Sequence, residues 1–172
     1  MELCVIEGDG VGHEVVPAAV RVLLKLVPQV KIHHAEAGFE YLQSHGTPLP
    51  QETIDLVMGC RAVLFGAANS PSYPVEGYYS PIIRLRQMLQ SYASLRPTRY
   101  LPVATARPGV DLMVVRENTE DLYVVNETTD DEAQSSTAQK LITRSATERV
   151  SHLAYQLACS TGREKITIVH KA

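Results

Sequence analysis

The sequence of 172 residues predicts an α/β fold, with a mainly parallel sheet, flanking helices and a smaller α+β subdomain. Short apolar runs alternate with segments whose apolar residues recur at helical spacing, and this alternation is typical of right-handed βαβ units. Glycines and prolines separate the segments and mark the turns. From Asp111 onward the pattern changes to short β-prone runs, which indicates a second subdomain. We expect one part at residues 1–100 and another at residues 101–172.

The composition describes a packed globular protein without a strong charge. Hydrophobic residues make up 45% and charged residues 20%, which argues against disordered and fibrous classes. A net charge of −3 provides no basic field for nucleic acid or anionic lipid. The start is not basic and no apolar run approaches about 18 residues, so we expect a soluble, cytoplasmic protein that binds neither nucleic acid nor membrane. Cys4, Cys60 and Cys159 lack disulfide or zinc spacing and are predicted to be buried, reduced thiols.

The first strand-helix unit contains a glycine turn that could serve a function. A strand at residues 3–6 leads into Gly-Asp-Gly-Val-Gly at residues 8–12, and a helix then runs as far as Pro28. The string fails the G-x-G-x-x-G spacing of the dinucleotide fingerprint and carries an aspartate inside the turn. Two interpretations stay open, a nucleotide-binding turn or a tight turn that requires glycine.

The remaining elements follow from the same signals. Residues 69–80 contain prolines and three tyrosines without periodicity and are predicted to form an ordered surface loop. A capping box at residues 145–148 begins the last long helix, and Gly162 ends it. Other helices are predicted at residues 39–45, 53–58 and 81–91. Other strands are predicted at residues 30–35, 61–66, 112–115, 122–125, 140–143 and 166–169.

Three arginines and a tyrosine are the candidate chemical residues. Arg86 lies on a predicted helix face, and Arg96 and Arg116 lie beside strand-like segments. Guanidinium groups bind carboxylates through paired charge-assisted bonds, so three converging arginines would suit a di- or tricarboxylic acid. The alternative is that they are ordinary solvated arginines. Tyr123 and Lys171 could exchange protons as a pair, or could be surface and packing residues.

Six motifs, in the same order along the whole chain, carry a family resemblance. They are residues 8–14, 64–71, 83–86, 95–97, 116–123 and 170–172, which read GDGVGHE, LFGAANSP, IRLR, LRP, RENTEDLY and HKA. Together they resemble the β-decarboxylating dehydrogenases of the isocitrate and isopropylmalate group. Residues 116–120 look like the isocitrate, homoisocitrate and tartrate branches. Residues 121–123, with Ser-Pro-Ile-Ile at residues 80–83, are most similar to homoisocitrate dehydrogenases of the lysine pathway.

The resemblance implies the family's own fold, which is not a Rossmann fold and would be incomplete here. Residues 1–100 would form the N-terminal part of its large α/β domain, and residues 101–172 the first part of its smaller dimerisation and substrate domain. The implied substrate-binding residues are Ser70, Ile83, Arg86, Arg96 and Arg116. The implied cofactor-binding residues, bordering the nicotinamide of NAD, are Ala68, Asn69 and Ser70.

The resemblance also implies a reaction. NAD-dependent oxidation of a 2-hydroxy tricarboxylate would precede loss of its β-carboxylate, with Mg²⁺ or Mn²⁺ as the Lewis acid. Tyr123 would handle protons with Lys171, which reaches the site of the partner protomer, so a homodimer or higher homo-oligomer is expected. An apolar Ile83 should disfavour isocitrate and leave room for a longer chain. Ser94 replaces the asparagine common before Leu-Arg-Pro, a change expected to alter only local hydrogen bonding.

The expected function is oxidation of homoisocitrate to 2-oxoadipate. Isocitrate, isopropylmalate or tartrate dehydrogenase is the alternative within the family, and a non-catalytic, tricarboxylate-binding regulatory subunit is the alternative outside it. The resemblance covers the N-terminal half of a family member and stops before the metal-binding aspartates. No metal ligand is therefore expected within this chain, and residues 1–172 alone are expected to be inactive.

Overall fold

The structure is a computed structural model that describes residues 1–124 and 126–170. The chain forms two compact units. The first unit is Met1–Leu89 and the second is Gln90–Ala172. The division falls earlier than the boundary expected after residue 100, because strand β4 (Ala93–Arg99) pairs with strand β5 (Asp111–Glu117) in the second unit. None of the helices formed by the described residues is long and apolar enough to cross a membrane.

The first unit is a three-stranded parallel sheet with helices around it, as the sequence predicts. Its sheet has the order β2-β1-β3. The strands are β1 (Glu2–Gly8), β2 (Lys31–Ala35) and β3 (Ala62–Ala67). The helices are α1 (Gly12–Leu26), α2 (Phe39–His45), α3 (Gln51–Gly59) and α4 (Pro81–Met88). Parallel pairing brings the carboxyl ends of all three strands to one edge, where ligands of such sheets bind.

The core of the first unit is built on both faces of β1. Four consecutive β1 residues are buried, which is typical of a central parallel strand covered on both sides. Cys4 and Ile6 with Val57 and Leu85 lie on one face, and Leu3 and Val5 with Val16 and Val30 on the other. Each fully buried aliphatic side chain contributes about 1.5–3 kcal/mol relative to an exposed one. This core fixes the strand ends that carry the candidate residues.

Helix α4 begins where the sequence predicts and ends three residues earlier. The Ser80 hydroxyl accepts a hydrogen bond from the Ile83 N–H at 3.4 Å, and Pro81 occupies the first turn, where no backbone donor is needed. The helix ends at Met88 because Gln90 adopts a left-handed conformation with φ of 52°. A helix cannot continue through such a residue.

The second unit contains antiparallel pairs and one long helix. β4 pairs with β5, and a hairpin of β6 (Glu127–Asp130) and β7 (Ser135–Ala138) follows. Helix α5 (Arg144–Ser160) completes the regular structure among the described residues. The hairpin lies in a Thr/Ser-rich segment for which the sequence predicts no strand, and all eight of its residues are exposed.

Four local predictions for the second unit are wrong. Residues 122–124 form a 3₁₀ turn rather than a strand, because Asp121 has a positive φ of 63°. The run at 140–143 contributes only an isolated bridge between Asp121 and Leu141. Residues 166–169 form no strand, since no described strand pairs with them. The burial predicted for Cys159 is also wrong, whereas Cys4 is buried and its burial raises its pKa to about 11.

Helix α5 is capped by a different residue from the one predicted. The helix begins at Arg144, and the hydroxyl of Thr143 accepts a hydrogen bond from the Ala146 N–H at 3.2 Å. The predicted capping box at residues 145–148 is therefore inside the helix, where Glu148 pairs with Arg144 at 2.7 Å. Gly162 follows the helix with a φ of 65°, as the predicted stop requires.

Candidate active site

Asp9, inside the glycine turn, links three segments of the first unit through one buried carboxylate. Its Oδ2 accepts hydrogen bonds from the backbone N–H groups of Phe39 at 2.9 Å and Asn69 at 2.7 Å, and its Oδ1 from that of Glu40 at 2.9 Å. Only 2% of the residue is exposed, so water cannot replace these donors. The carboxylate caps α2 and fixes the chain that leaves β3.

The glycine turn is closed by its own contacts. Gly8 has a φ of 78°, and a Cβ there would overlap the carbonyl oxygen of Ala67. The Asp9 N–H donates to the same oxygen at 2.8 Å, and the Gly10 N–H donates to the Glu40 carboxylate at 2.9 Å. These donors do not face a ligand, so the turn fits the tight-turn interpretation and does not fit a pyrophosphate.

Residues 68–70 follow β3 at the carboxyl edge of the sheet. The Asn69 N–H is held by Asp9, and the Asn69 carbonyl oxygen accepts a hydrogen bond from the Tyr78 hydroxyl at 3.0 Å. The Ser70 hydroxyl lies 3.3 Å from the same phenol oxygen and is exposed. Ala68 and Ser70 have small side chains.

Helix α4 presents two predicted site residues on one face. Ile83 and Arg86 are three positions apart, are both half-buried, and therefore neighbour each other on the helix surface. Leu85 is buried in the core of the first unit and fixes the helix rotation. An aliphatic side chain and a guanidinium thus lie side by side.

The antiparallel pair of the second unit brings Arg96 and Arg116 to one face. Ser94 is opposite Arg116 and Arg96 is opposite Val114, so the two arginines are diagonal neighbours. Arg96 Nε donates to the Ser94 hydroxyl at 3.3 Å. An Arg116 terminal nitrogen donates to the Tyr123 hydroxyl at 3.0 Å, and its guanidinium lies 5.5 Å from that ring centre. Two exposed cations and a phenol therefore share this surface.

The other residues of the RENTE motif brace this surface. Glu117 accepts hydrogen bonds from the Thr119 N–H and hydroxyl at 2.9 and 2.6 Å and from the Glu120 N–H at 2.8 Å. Burial alone would raise the Glu117 pKa, but these bonds hold that pKa below its ordinary value. Glu120 in turn accepts from the Thr143 N–H and hydroxyl at 2.7 and 2.6 Å. Asn118 is buried.

A histidine joins two carboxylates next to the glycine turn. His13 Nδ1 lies 2.9 Å from Glu7 Oε2, and its Nε2 lies 3.1 Å from Glu40 Oε2. The hydrogen bond to Glu7, followed by that to Glu40, raises the His13 pKa above its ordinary value. The hydrogen bond from Gly10, followed by that from His13, lowers the Glu40 pKa. The ring therefore ties α1 to β1 and α2 through its two nitrogens.

The sequence predicts no metal ligand within this chain and a proton-transfer role for Lys171. Within residues 1–124 and 126–170, no group of three or more His, Cys, Asp or Glu side chains is arranged to hold a metal ion. The described residues therefore do not fit a magnesium or manganese site. Lys171 lies outside the described residues.

Sequence reasoning missed three residues of this arrangement. Asp9 and His13 act through contacts with residues 27 to 31 positions away, and Tyr78 acts through a contact with Asn69, nine positions away. The only early signal was the aspartate inside the glycine turn, because an acidic residue there is unfavourable for phosphate binding. No sequence pattern distinguishes Tyr78 from the other tyrosines of the loop at residues 69–80.

Comparison with known proteins identifies the family of this chain. The sequence profile of the isocitrate/isopropylmalate dehydrogenase family matches residues 2–172. The chain belongs to this family. The predicted resemblance and the predicted fold class are therefore confirmed.

Individual family members are similar over the whole chain. The isocitrate/homoisocitrate dehydrogenase of Thermus thermophilus is 44% identical over 170 residues, which are 99% of this chain and 50% of that protein. The 3-isopropylmalate dehydrogenase of Methanothermobacter thermautotrophicus is 43% identical over 173 residues, or 100% of this chain and 50% of that protein. The crystal structure of isocitrate dehydrogenase from Methylococcus capsulatus superposes with a TM-score of 0.91 at 36% identity, covering 99% of this chain and 51% of that chain. This chain therefore spans about half the length of these relatives.

Proposed function

We propose that the full-length protein carrying this chain is an NAD-dependent dehydrogenase that converts homoisocitrate to 2-oxoadipate in lysine biosynthesis. The observation that carries the proposal is the surface on which Arg96 and Arg116 are neighbours and Arg116 holds the Tyr123 hydroxyl. The T. thermophilus relative named isocitrate/homoisocitrate dehydrogenase supports the substrate class. Mg²⁺ or Mn²⁺, the expected homodimer and the part played by Lys171 belong to the same proposal.

Substrate recognition would rest on the arginines. Arg96 and Arg116 are exposed on one face, where each planar guanidinium can form paired, charge-assisted bonds to a carboxylate. By the family resemblance, Arg86 binds the same acid. Ser70 contacts the substrate, and Ala68, Asn69 and Ser70 border the nicotinamide.

Proton transfer would rest on Tyr123. Arg116 donates to the phenol oxygen at 3.0 Å, so the phenol oxygen is the acceptor in this contact. NAD would supply the acceptor for the hydride that leaves C2, and the substrate hydroxyl would lose its proton to a base, which the resemblance assigns to the partner's lysine. Breaking the bond to the β-carboxyl group releases CO₂ and leaves its electron pair as an enolate. Tyr123 then protonates C3, which gives the 2-oxo acid.

Ile83 supports homoisocitrate over isocitrate. An aliphatic side chain at this position cannot compensate a carboxylate that lies close to it, so an acid with a longer chain is favoured. Ile83 also suits an apolar substituent, and a relative named 3-isopropylmalate dehydrogenase is 43% identical. Isopropylmalate is therefore the second candidate substrate.

A comparison of initial rates tests the proposal. The full-length protein is assayed with homoisocitrate, isocitrate, isopropylmalate and tartrate, each with NAD and with NADP. We expect the highest kcat/KM for homoisocitrate with NAD. A higher value for isopropylmalate would favour the second candidate, and a wide margin for isocitrate would contradict the role of Ile83. Binding of these acids without turnover would instead indicate a regulatory subunit.

A further inference from the structure

We propose that Tyr78 is a positioning residue that fixes the direction of the Ser70 hydroxyl bond, so that Ser70 accepts a hydrogen bond from the bound ligand. The inference rests on the proposed function, because Ser70 is a proposed substrate-binding residue. It concerns a tyrosine that neither sequence pattern nor family resemblance assigns to the site.

The geometry decides which group donates. A phenol has one proton, and the Tyr78 hydroxyl donates it to the Asn69 carbonyl oxygen at 3.0 Å. The Ser70 hydroxyl is 3.3 Å from the Tyr78 oxygen, and only one of the two can donate in that contact. Since the phenol proton is used, Ser70 is the donor. Its oxygen therefore presents lone pairs to the surface.

The carbonyl that orients Tyr78 is itself held in place. Asp9 accepts the Asn69 N–H at 2.7 Å and is buried, so Asn69 is fixed at both its N–H and its carbonyl oxygen. The Tyr78 ring packs edge-on against Phe39 with the ring centres 5.8 Å apart, and the Phe39 N–H donates to the same carboxylate. We call the bonds of Asp9 and Tyr78 to this residue the Asn69 clamp.

An accepting Ser70 defines the chemical group that it recognises. An O–H or N–H donor on the ligand can bond to it, whereas a carboxylate oxygen cannot. The substrate's 2-hydroxyl and the carboxamide N–H of nicotinamide are the two sources of such a donor in the proposed reaction. KM for the acid and KM for NAD distinguish these sources.

A double-mutant cycle in the full-length protein tests the role of Tyr78. Tyr78→Phe should lower kcat/KM for one of the two ligands about fivefold, as for loss of one ordinary hydrogen bond. In a Ser70→Ala background the same change should cost less than about twofold, because Tyr78 acts through Ser70. Tyr79→Phe is the matched control, since its hydroxyl lies 3.5 Å from the Leu49 carbonyl oxygen and does not hold Asn69. No loss from Tyr78→Phe, or an equal loss in both backgrounds, would overturn the inference.

Hydrogen exchange at Asn69 separates this inference from the proposed function. Tyr78→Phe should speed exchange of the Asn69 amide relative to the wild type and Tyr79→Phe. If the wild type oxidises none of the four acids, the proposed function fails. The Asn69 clamp is then tested by the hydrogen-exchange result alone. Unchanged exchange in Tyr78→Phe would overturn the clamp whatever the activity.

Discussion

Asp9 shows how one buried side chain can organise a site without touching a ligand. Its carboxylate accepts N–H groups from residues 30, 31 and 60 positions further along the chain. No local sequence pattern predicts such contacts. The sequence indicates only that an aspartate is unusual inside a glycine turn of this kind. Arg96 and Arg116 are a different case, because the sequence places both beside strand-like segments, although it predicts no strand over residues 93–99. The sequence does not predict the pairing register of β4 and β5, which makes the two arginines neighbours.

Asp9→Asn should destabilise the protein. An amide offers one acceptor oxygen, so its NH₂ group must face at least one of the N–H donors that the carboxylate now satisfies. We expect the free energy of unfolding to fall by about 1–3 kcal/mol, the usual cost of a buried unsatisfied polar group. Urea denaturation measures it. Asp55→Asn, at an exposed aspartate on α3, is the control and should change stability by less than about 0.5 kcal/mol. Equal losses in both variants would show that the Asp9 bonds contribute little.

Arg116→Lys should impair catalysis more than folding. A lysine keeps the charge but cannot bind a carboxylate with two parallel bonds while also holding the Tyr123 hydroxyl. Loss of one charge-assisted bond should lower kcat/KM about ten- to hundredfold. Steady-state kinetics of the full-length protein measure the effect. Arg144→Lys, at an exposed arginine on α5, should leave kcat/KM unchanged, and an unchanged value for Arg116→Lys would argue against carboxylate binding there.

At the scale of elements, the sequence predicted helices better than the strands of the second unit. The periodicity of its apolar residues predicts helix α5. The helix begins earlier than predicted because its N-cap residue, Thr143, is held by Glu120, which lies 23 residues earlier in the chain. The run at 166–169 has the composition of a strand, yet a strand also needs a partner to bond with. The hairpin of β6 and β7 has no buried face, so its sequence shows no hydrophobic alternation that would predict the strands.

Thr143→Ala should weaken the start of α5. It removes the cap of the Ala146 N–H and the hydroxyl that donates to Glu120, which together should cost about 1–2 kcal/mol of stability. Ser145→Ala should cost clearly less, because Ser145 lies within the helix rather than at its cap. Urea denaturation of the two variants compares these residues. A larger loss of stability for Ser145→Ala would instead support the capping box predicted at residues 145–148.

The link between β1, α1 and α2 should depend on pH. Because the folded-state pKa of His13 is raised, the protonated ring stabilises the fold fully below its unfolded value of about 6.5. This contribution is lost as pH rises through the folded-state pKa. His13→Gln should therefore flatten the fall in Tm as pH increases above about 6. His152→Gln, at an exposed histidine on α5, is the control, and parallel Tm curves for the wild type and His13→Gln would contradict the assignment.

At the scale of the whole molecule, each unit carries some of the residues that the family resemblance assigns. Ser70, Ile83 and Arg86 belong to the first, and Arg96 and Arg116 to the second. The sequence predicted the α/β class because strand and helix alternate regularly in the first unit. Motif order along the chain indicated the family, which no single contact could have done.

Residues 1–172 expressed alone should not reduce NAD with homoisocitrate. The described residues supply no metal site, and the family members compared are about twice as long. NADH formation by the purified segment, measured by its absorbance, should stay at background while the full-length protein is active. Turnover by the segment at a rate near that of the full-length protein would show that it contains a complete active site.

The carboxylate of Asp9 also gives the carboxyl edge of the sheet a fixed negative charge. Many α/β proteins leave the first strand-helix turn open for an incoming phosphate. Here the Gly10 N–H of that turn already donates to Glu40, and the Asp9 carboxylate occupies the nearby N–H groups of Phe39, Glu40 and Asn69. A phosphate that approached them would find its bonding partners taken and its charge opposed. These amide donors are therefore closed to a phosphate, and the dinucleotide of the proposed function is expected to place its phosphates elsewhere.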